Sequence, residues 1–438
     1  MSESTMAELL RSRASAVQLT VLDRTAAIAA DLGMAVYLVG GVVRDLLAIG
    51  RLHDLDLTVE GDAVDLARLL AGALGARLRI HERFATAEIT VGGERVDLVT
   101  ARTEEYPEPA GLPRVSPGDL EDDLRRRDFT VNAMAIGLWP RAEQGLIDPF
   151  DGRSDLGGGR LRVLHDRSFL DDPTRIVRGA RLGARLGLEF EAHTAELAVA
   201  AVAGGAFVPL SGTRLRREIA LLFDDQRPSE SLRMLERFGF HGVLERADAF
   251  TPDDFDRLAA IVHLRRDSEA SSEAEPASLP RIQWWLASLI GLFRGQGRKT
   301  RRRLAQRLHM EGSVLESFVE SGERLARLAD RLAQSGDSVG EVGALVDRLS
   351  PEERVVARVI VPPEVRQRFA HWLDRWETLD LVIGGQDLIA AGFRAGPQIG
   401  RALEATLAAR RDGRIEVDEE LEFAIAQLGS EAQLENDR

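Results

Sequence analysis

Two aspartates at a spacing of two, Asp54 and Asp56 in the run DLDLTV, carry the strongest chemical signal in the sequence. Their alternation with Leu55 and Leu57 predicts a strand in which both carboxylates leave one face while the leucines enter a core. Side-by-side carboxylates repel, and a divalent cation between them is the natural compensation. Hard cations such as Mg2+ take oxygen ligands, usually one or two carboxylates plus substrate phosphates. Taken alone, Asp-x-Asp is more often a solvated strand edge. The residues just upstream change that reading. AVYLV, Gly40-Gly41 and VVRDLLAIG predict a strand, a tight turn and a helix, which would offer backbone N–H groups to a triphosphate, with Arg44 on the first helical turn. Asp97, alternating with Val96 and Leu98 on the next predicted strand, is either a third metal ligand or a solvent-facing residue.

Three later segments bear on the same chemistry. DLRRRDFTVNAMAIGL, residues 123–138, reads as a basic cluster running into an apolar helix. There Arg127 suits a phosphate and Asn132 a sugar or base, with Asp128 or Thr130 as helix cap, although a capped core helix explains the segment as well. LIDPFDGRSDLGGGRLRVL supplies Asp148 and Asp151, which read as turn scaffolding. In FLDDPTRIVRGARLGARLGLEF, residues 169–190, Arg175, Arg178, Arg181 and Arg185 share one side of a helix. Only Arg185 has an acid at i+4, Glu189, so the first three are expected to face a polyanion or a base. Asp172 either caps this helix or, with Asp171 as cap, accepts hydrogen bonds from a base. A carboxylate beside an arginine fork matches a Watson–Crick edge.

The elements that must position these groups divide the chain. At 438 residues, two or three packed units are expected. Residues 1–34 predict an amphipathic helix. Residues 35–165 predict an α+β head with a small sheet, in which EEYPEPAGLPRVSPGDL is a proline-rich loop or lid. Helical periodicity dominates from about Phe169, giving a neck over 166–240 and an all-α half over 241–438, with a polar linker from Asp267 to Pro280. In that half LFRGQGRKTRRRLAQRLHM is the densest basic patch. Its Arg298, Lys299, Arg301 and Arg302 are candidate contacts to RNA phosphates, with a plain solvated helix as the competing reading.

Composition narrows the chemistry. The absence of cysteine removes disulfides, thiolate metal sites and cysteine nucleophiles, so any metal is held mostly by oxygen. A net charge of −14 argues against indiscriminate polyanion binding and requires local basic patches for a nucleic-acid substrate. Positive charge is almost wholly arginine, with Lys299 the one lysine. No long apolar run suggests a membrane span, and MSESTMAELLRSR lacks the apolar core of a signal peptide, so a cytoplasmic location is expected.

In order, VGGVVRDLLAIGRLHDLDLTV, RRDFTVNAMA, DPFDGRSDL and DDPTRIVRGARLGARL resemble four consecutive motifs of the class II tRNA nucleotidyltransferase and bacterial poly(A) polymerase family, within the DNA polymerase beta superfamily. The resemblance covers about residues 35–240. It implies a polymerase-beta-like head, Mg2+ on Asp54 and Asp56, triphosphate contacts from Gly40, Gly41, Arg44 and Arg127, and base selection by Asp172 and Arg175, assisted by Arg178 and Arg181. It further implies attack of a tRNA 3′ hydroxyl on the α-phosphate of CTP or ATP, and a C-terminal half that grips the acceptor stem. Many members have Glu-Asp where this chain has Asp171-Asp172. The proline-rich loop resembles specialised CC-adding or A-adding enzymes without separating them. Poly(A) polymerase is disfavoured by the net acidity and the lack of a long basic extension, and a catalytically idle RNA-binding protein is opposed by the intact Asp54 and Asp56.

Overall fold

A computed structural model describes residues 3–436 except 51, 53, 82–84, 139–144, 272–281, 335–345, 347, 362–368, 370–372, 374–378 and 412. The chain forms two compact units, Met1–Ala249 and Phe250–Arg438. The first begins with two helices, α1 (Glu3–Arg13) and α2 (Ala16–Asp31), where the sequence predicts one. The break lies at Ser15, whose hydroxyl caps Gln18 N–H while the Gln18 side chain returns to the Ser15 N–H. That reciprocal capping stabilises a new helix start over continuation of the old one. Ser15 Oγ also donates to Glu94 at 3.0 Å, pinning α2 to the sheet. Ser15→Ala is expected to cost about 1 kcal/mol, read as a lower urea midpoint at unchanged slope.

The sheet is built from β1 (Ala35–Val39), β2 (Leu55–Glu60), β3 (Arg77–His81), β4 (Thr86–Val91) and β5 (Glu94–Thr100), with α3 (Gly41–Ala48) and α4 (Ala63–Leu74) between the first strands. Beyond them follow β6 (Arg102–Glu105), β7 (Arg114–Pro117), α5 (Leu120–Arg125), β8 (Ala135–Gly137) and β9 (Leu146–Ile147). The order is β3-β4-β5-β2-β1-β8-β9, with β2 and β5 parallel and the other pairs antiparallel. One face buries Leu55, Leu57, Val59, Val96 and Leu98 against Leu66, Ala67 and Leu70 of α4. By alternation the opposite face of β2 carries Asp56, Thr58 and Glu60.

Two expectations are corrected in this head. The apolar run NAMAIGL is not a helix: Thr130–Asn132 make a single 3-10 turn, and Ala135–Gly137 become β8, paired to β1. A short apolar run has no decisive period, and the open edge of β1 decides it. The proline-rich segment is not wholly a loop either, because β6 and β7 close it into a two-stranded hairpin.

The remainder of the first unit is the short α6 (Gly152–Gly157), β10 (Arg160–Leu161), α7 (Ser168–Asp171), α8 (Thr174–Leu186), β11 (Glu189–Phe190), α9 (Ala192–Ala203), α10 (Gly212–Phe223), α11 (Pro228–Glu236) and α12 (Phe240–Val243). Phe129 joins these to the sheet. Its ring is fully buried and stands 6.0 Å edge-on from Phe190 and 6.5 Å from Phe169, above Gly179 of α8, where a Cβ would collide with it. The second unit is helical throughout its described residues, with α13 (Pro252–Ser271), α14 (Trp284–Leu292), α15 (Arg298–Arg307), α16 (Gly312–Gln334) and further helices over Pro351–Ile360, Gly385–Ala390, Pro397–Arg411 and Glu420–Asn436. The predicted polar linker begins inside α13, and its remainder, 272–280, lies outside the described residues. No described helix is long and apolar enough to cross a membrane.

Candidate active site

Strand β2 delivers the aspartate pair. Asp54 is exposed in the bend that precedes the strand, and Asp56 is half-buried on its polar face. The parallel register sets Asp56 directly beside Asp97 on β5. Burial, then the Asp97 charge, pushes the Asp56 carboxyl up to about 6, with Arg127 pulling the other way and Asp54 adding to the rise. Crowded carboxylates with a raised pKa are what a divalent cation relieves. Asp97 is itself pushed up by burial, against the pull of Arg95, whose guanidinium pairs with Asp97 at 2.9 Å and with Glu88 at 3.1 Å. Among the described residues no three acidic or histidine side chains form a ready metal cage. The donor set is therefore open, and it suits a hard cation that completes its shell with substrate phosphates.

The turn between β1 and α3 faces the same region through Arg127. Gly40 has φ 69° and ψ −124°, a conformation L side chains avoid, and a Cβ there would collide with Arg127 Nη1. The α3 N-terminus has no side-chain cap, which leaves the N–H groups that open at Gly41 available to an anion. Gly40→Ala is expected to cost about 1–3 kcal/mol of local strain and to push Arg127 aside. Its signature is a raised KM for the nucleotide with a smaller change in kcat.

The arginines of the second motif are held from beneath by a residue that sequence reasoning passed over. Asp123 on α5 is fully buried and binds Arg126 at 2.5 Å and Arg127 at 2.7 Å, with the Thr58 hydroxyl at 3.4 Å. Burial raises its pKa, yet the two guanidiniums outweigh that and hold it below the usual carboxylate range. Arg127 Nε has no protein partner although it is buried, so one donor of this side chain remains unanswered. Arg44 is buried too and donates to Asp45 at 2.8 Å and to the Asn132 carbonyl oxygen. Burial lowers its pKa despite Asp45. Asp128 caps no helix. It accepts from Phe129 N–H at 2.9 Å and from Asn132 Nδ2 at 2.8 Å, and pairs with Arg178 of α8 at 2.9 Å. Asn132 thus links Arg44 to Asp128. Asp148 is the expected scaffold, accepting from the N–H groups of Gly152 and Arg153 at 2.7 and 2.9 Å.

On α8 the arginine stripe finds acids brought by the fold. Arg178 pairs with Asp128, and Arg181 with Asp225 at 3.2 Å and Glu218 at 3.8 Å. Arg175 is buried, donating to Ser168 Oγ at 2.8 Å and the Arg126 carbonyl at 2.9 Å, with the Tyr106 ring 5.8 Å away. The inference that unpaired i+4 positions demand an external polyanion is therefore corrected: the partners are distant in sequence. Nor does Glu189 pair along the helix with Arg185. Gly187 ends α8 at φ 70°, and Glu189 meets Arg237 instead. Asp172 accepts at Oδ1 from Thr174 N–H at 3.1 Å and Thr174 Oγ1 at 2.7 Å, while Asp171 pairs with Arg167 at 3.2 Å.

In the second unit Lys299 and Arg302 are exposed, and Arg298 is paired with Glu320. Arg301 turns inward, 3% exposed, donating to the Val319 carbonyl at 3.2 Å, and lies so close to Gly322 that a Cβ there would collide with it.

Residues 36–162 match the family model of the poly A polymerase head domain. An A-adding tRNA nucleotidyltransferase of Halalkalibacterium halodurans is 44% identical over 222 residues, covering 50% of this chain and 52% of that protein. A CC-adding tRNA nucleotidyltransferase of Deinococcus radiodurans is 32% identical over 395 residues, covering 90% of this chain and 89% of that protein. The solved Thermotoga maritima CCA-adding enzyme in complex with tRNA superposes with a TM-score of 0.75 at 28% identity, over 97% of this chain and 98% of that one. Against A-adding relatives of Halalkalibacterium halodurans, Geobacter sulfurreducens and Aquifex aeolicus the chain spans about half their length or less, at 52%, 45% and 25%. The near-full-length match to the Deinococcus protein, on a head with this sheet and these aspartates, shows that the chain belongs to the tRNA nucleotidyltransferase family.

Proposed function

We propose that this protein transfers nucleotidyl groups from CTP, ATP or both to the 3′ end of tRNA without a nucleic-acid template, releasing pyrophosphate, in the cytoplasm. The observation that carries the proposal is the crowding of Asp54, Asp56 and Asp97 beside Arg127, which overlies the Gly40 turn and the uncapped start of α3. Mg2+ held by Asp54 and Asp56, with Asp97 alongside, would acidify the attacking 3′ hydroxyl and neutralise charge on the triphosphate.

The chain's own groups divide the remaining work. Backbone N–H groups from Gly41 onward and the unanswered Arg127 Nε bind phosphate oxygens. Arg44 and Asn132 hold the turn and the second motif in register. Asp172 and Arg175 read the base edge, Arg175 exchanging its bonds to Ser168 and the Arg126 carbonyl for the nucleotide. Arg178 and Arg181 fix the wall behind them through Asp128 and Asp225. In this assignment residues 35–165 are the catalytic head, 166–240 the selecting neck and 241–438 the tRNA-binding body and tail. Lys299 and Arg302, with Arg298 once it leaves Glu320, meet RNA phosphates.

The test is incubation of the protein with Mg2+ and tRNA transcripts ending before CCA, after C, or after CC, with CTP and ATP supplied singly and together. Extension of at least one transcript by the next correct nucleotide supports the proposal, and the transcripts extended define the CCA-, CC- or A-adding subtype. Incorporation on none of them refutes it.

A further inference from the structure

Resting on the reading above, we infer that Arg214 is a positioning residue that sets nucleotide choice, by fixing the Asp172 carboxylate and holding the loop between β6 and β7 against it. Arg214 lies on the first turn of α10, and its guanidinium divides between two elements. Nη2 donates to Asp172 Oδ1 at 3.0 Å, and Nη1 donates to the carbonyls of Ala110 and Gly111 at 2.8 and 3.3 Å. A planar fork that spans a carboxylate and a loop backbone ties their positions together, which a point-charge lysine does less well.

The consequence for Asp172 follows from its oxygens. Oδ1 already accepts from Thr174 N–H and Oγ1, so Arg214 completes that atom's set of donors. Among the described residues Oδ2 takes no hydrogen bond from protein, and it is the acceptor left for a base. The rotamer that aims Oδ2 is held by Arg214 and Thr174 together. The loop is held at a second point, where the Tyr106 ring lies 5.8 Å from the Arg175 guanidinium and its hydroxyl donates to Glu104 at 3.0 Å. Ala110 N–H also donates to the Leu170 carbonyl at 3.1 Å. One turn after Arg214, Glu218 reaches Arg181 at 3.8 Å and has a buried oxygen with no hydrogen bond. Helix α10 thus backs the recognition face of α8 along its length, and Arg214 is where that support meets a base-reading atom.

Loss of this bond frees the carboxylate to rotate and frees the loop. The effect should fall on discrimination between nucleotides rather than on chemistry. The test uses the full chain with Mg2+ and the tRNA transcript that the unaltered protein extends best, measuring kcat and KM for CTP and ATP separately. Arg214→Ala is expected to lower the kcat/KM ratio between preferred and disfavoured nucleotide about tenfold or more, chiefly through a higher KM for the preferred one, and Arg214→Lys is expected to recover part of it. In an Asp172→Ala background, where choice is already relaxed, Arg214→Ala should change the ratio no further. Thr174→Val, which removes another donor to the same oxygen, should shift the ratio in the same direction and keeps the inference testable where Arg214→Ala does not fold. An unchanged ratio in both Arg214→Lys and Thr174→Val, or an undiminished Arg214 effect in the Asp172→Ala background, overturns the inference while leaving nucleotidyl transfer standing. Absence of incorporation by the unaltered protein on every transcript overturns transfer itself and this inference with it.

Discussion

Replacing Asp56 or Asp54 by alanine abolishes nucleotide incorporation, with turnover falling on the order of 10³-fold, while the fold survives. Asp54 is exposed and Asp56 is only half-buried, so neither side chain fills a core position that alanine would hollow out. Asp56 is in fact uncomfortable in the metal-free protein, since burial and the Asp97 charge hold its pKa at about 6. Removing it relieves repulsion, and the melting temperature measured without metal should be unchanged or slightly higher. Thermal unfolding followed by circular dichroism, beside a single-turnover incorporation assay at saturating Mg2+, separates the two effects. Substantial activity in either variant would remove the metal assignment, and loss of folding would show that the pair is structural.

The second large effect concerns stability. Asp123→Ala leaves Arg126 and Arg127 facing a buried site with no counter-charge between them, a loss of about 3–5 kcal/mol. For a unit of this size the melting temperature should fall on the order of 10 °C. The acid limb of stability carries the same signature. The folded pKa of Asp123 lies below its unfolded value, so its contribution is fully present above the ordinary carboxylate range and is lost as pH falls through the lower, folded value. In Asp123→Asn that acid-dependent component should be missing. A variant that melts as the unaltered protein does, with the same acid limb, would contradict this role.

Legibility in the sequence followed the range of the interactions. The strand, Gly-Gly turn, helix and Asp-x-Asp strand were readable because each depends on neighbours in the chain: Gly40 has the positive φ that the turn demands, and Leu55 and Leu57 alternate with Asp56 as expected. NAMAIGL was misread because a short apolar run belongs to whichever edge accepts it, here β1. The arginine stripe was misread for a related reason, since Asp128, Asp225 and Glu218 reach it from other elements and leave no i+4 trace. Asp123 was hidden in the acidic run before the arginines, where nothing distinguishes the one acid that turns inward. Arg214 has partners more than forty residues away. Arg301 was recoverable: it shares a helical face with Leu304, Ala305 and Leu308, all buried, and that spacing marks the inner side of α15.

The central claim is that this active site builds a short, defined 3′ end on tRNA. Sequencing the 3′ ends after prolonged incubation of a mixture of tRNA transcripts and an unrelated RNA with Mg2+, CTP and ATP tests it most directly. The account predicts tRNA ends that stop no later than CCA and an unrelated RNA left unextended. Long adenosine tails on the unrelated RNA, or tRNA ends left as supplied, would contradict it.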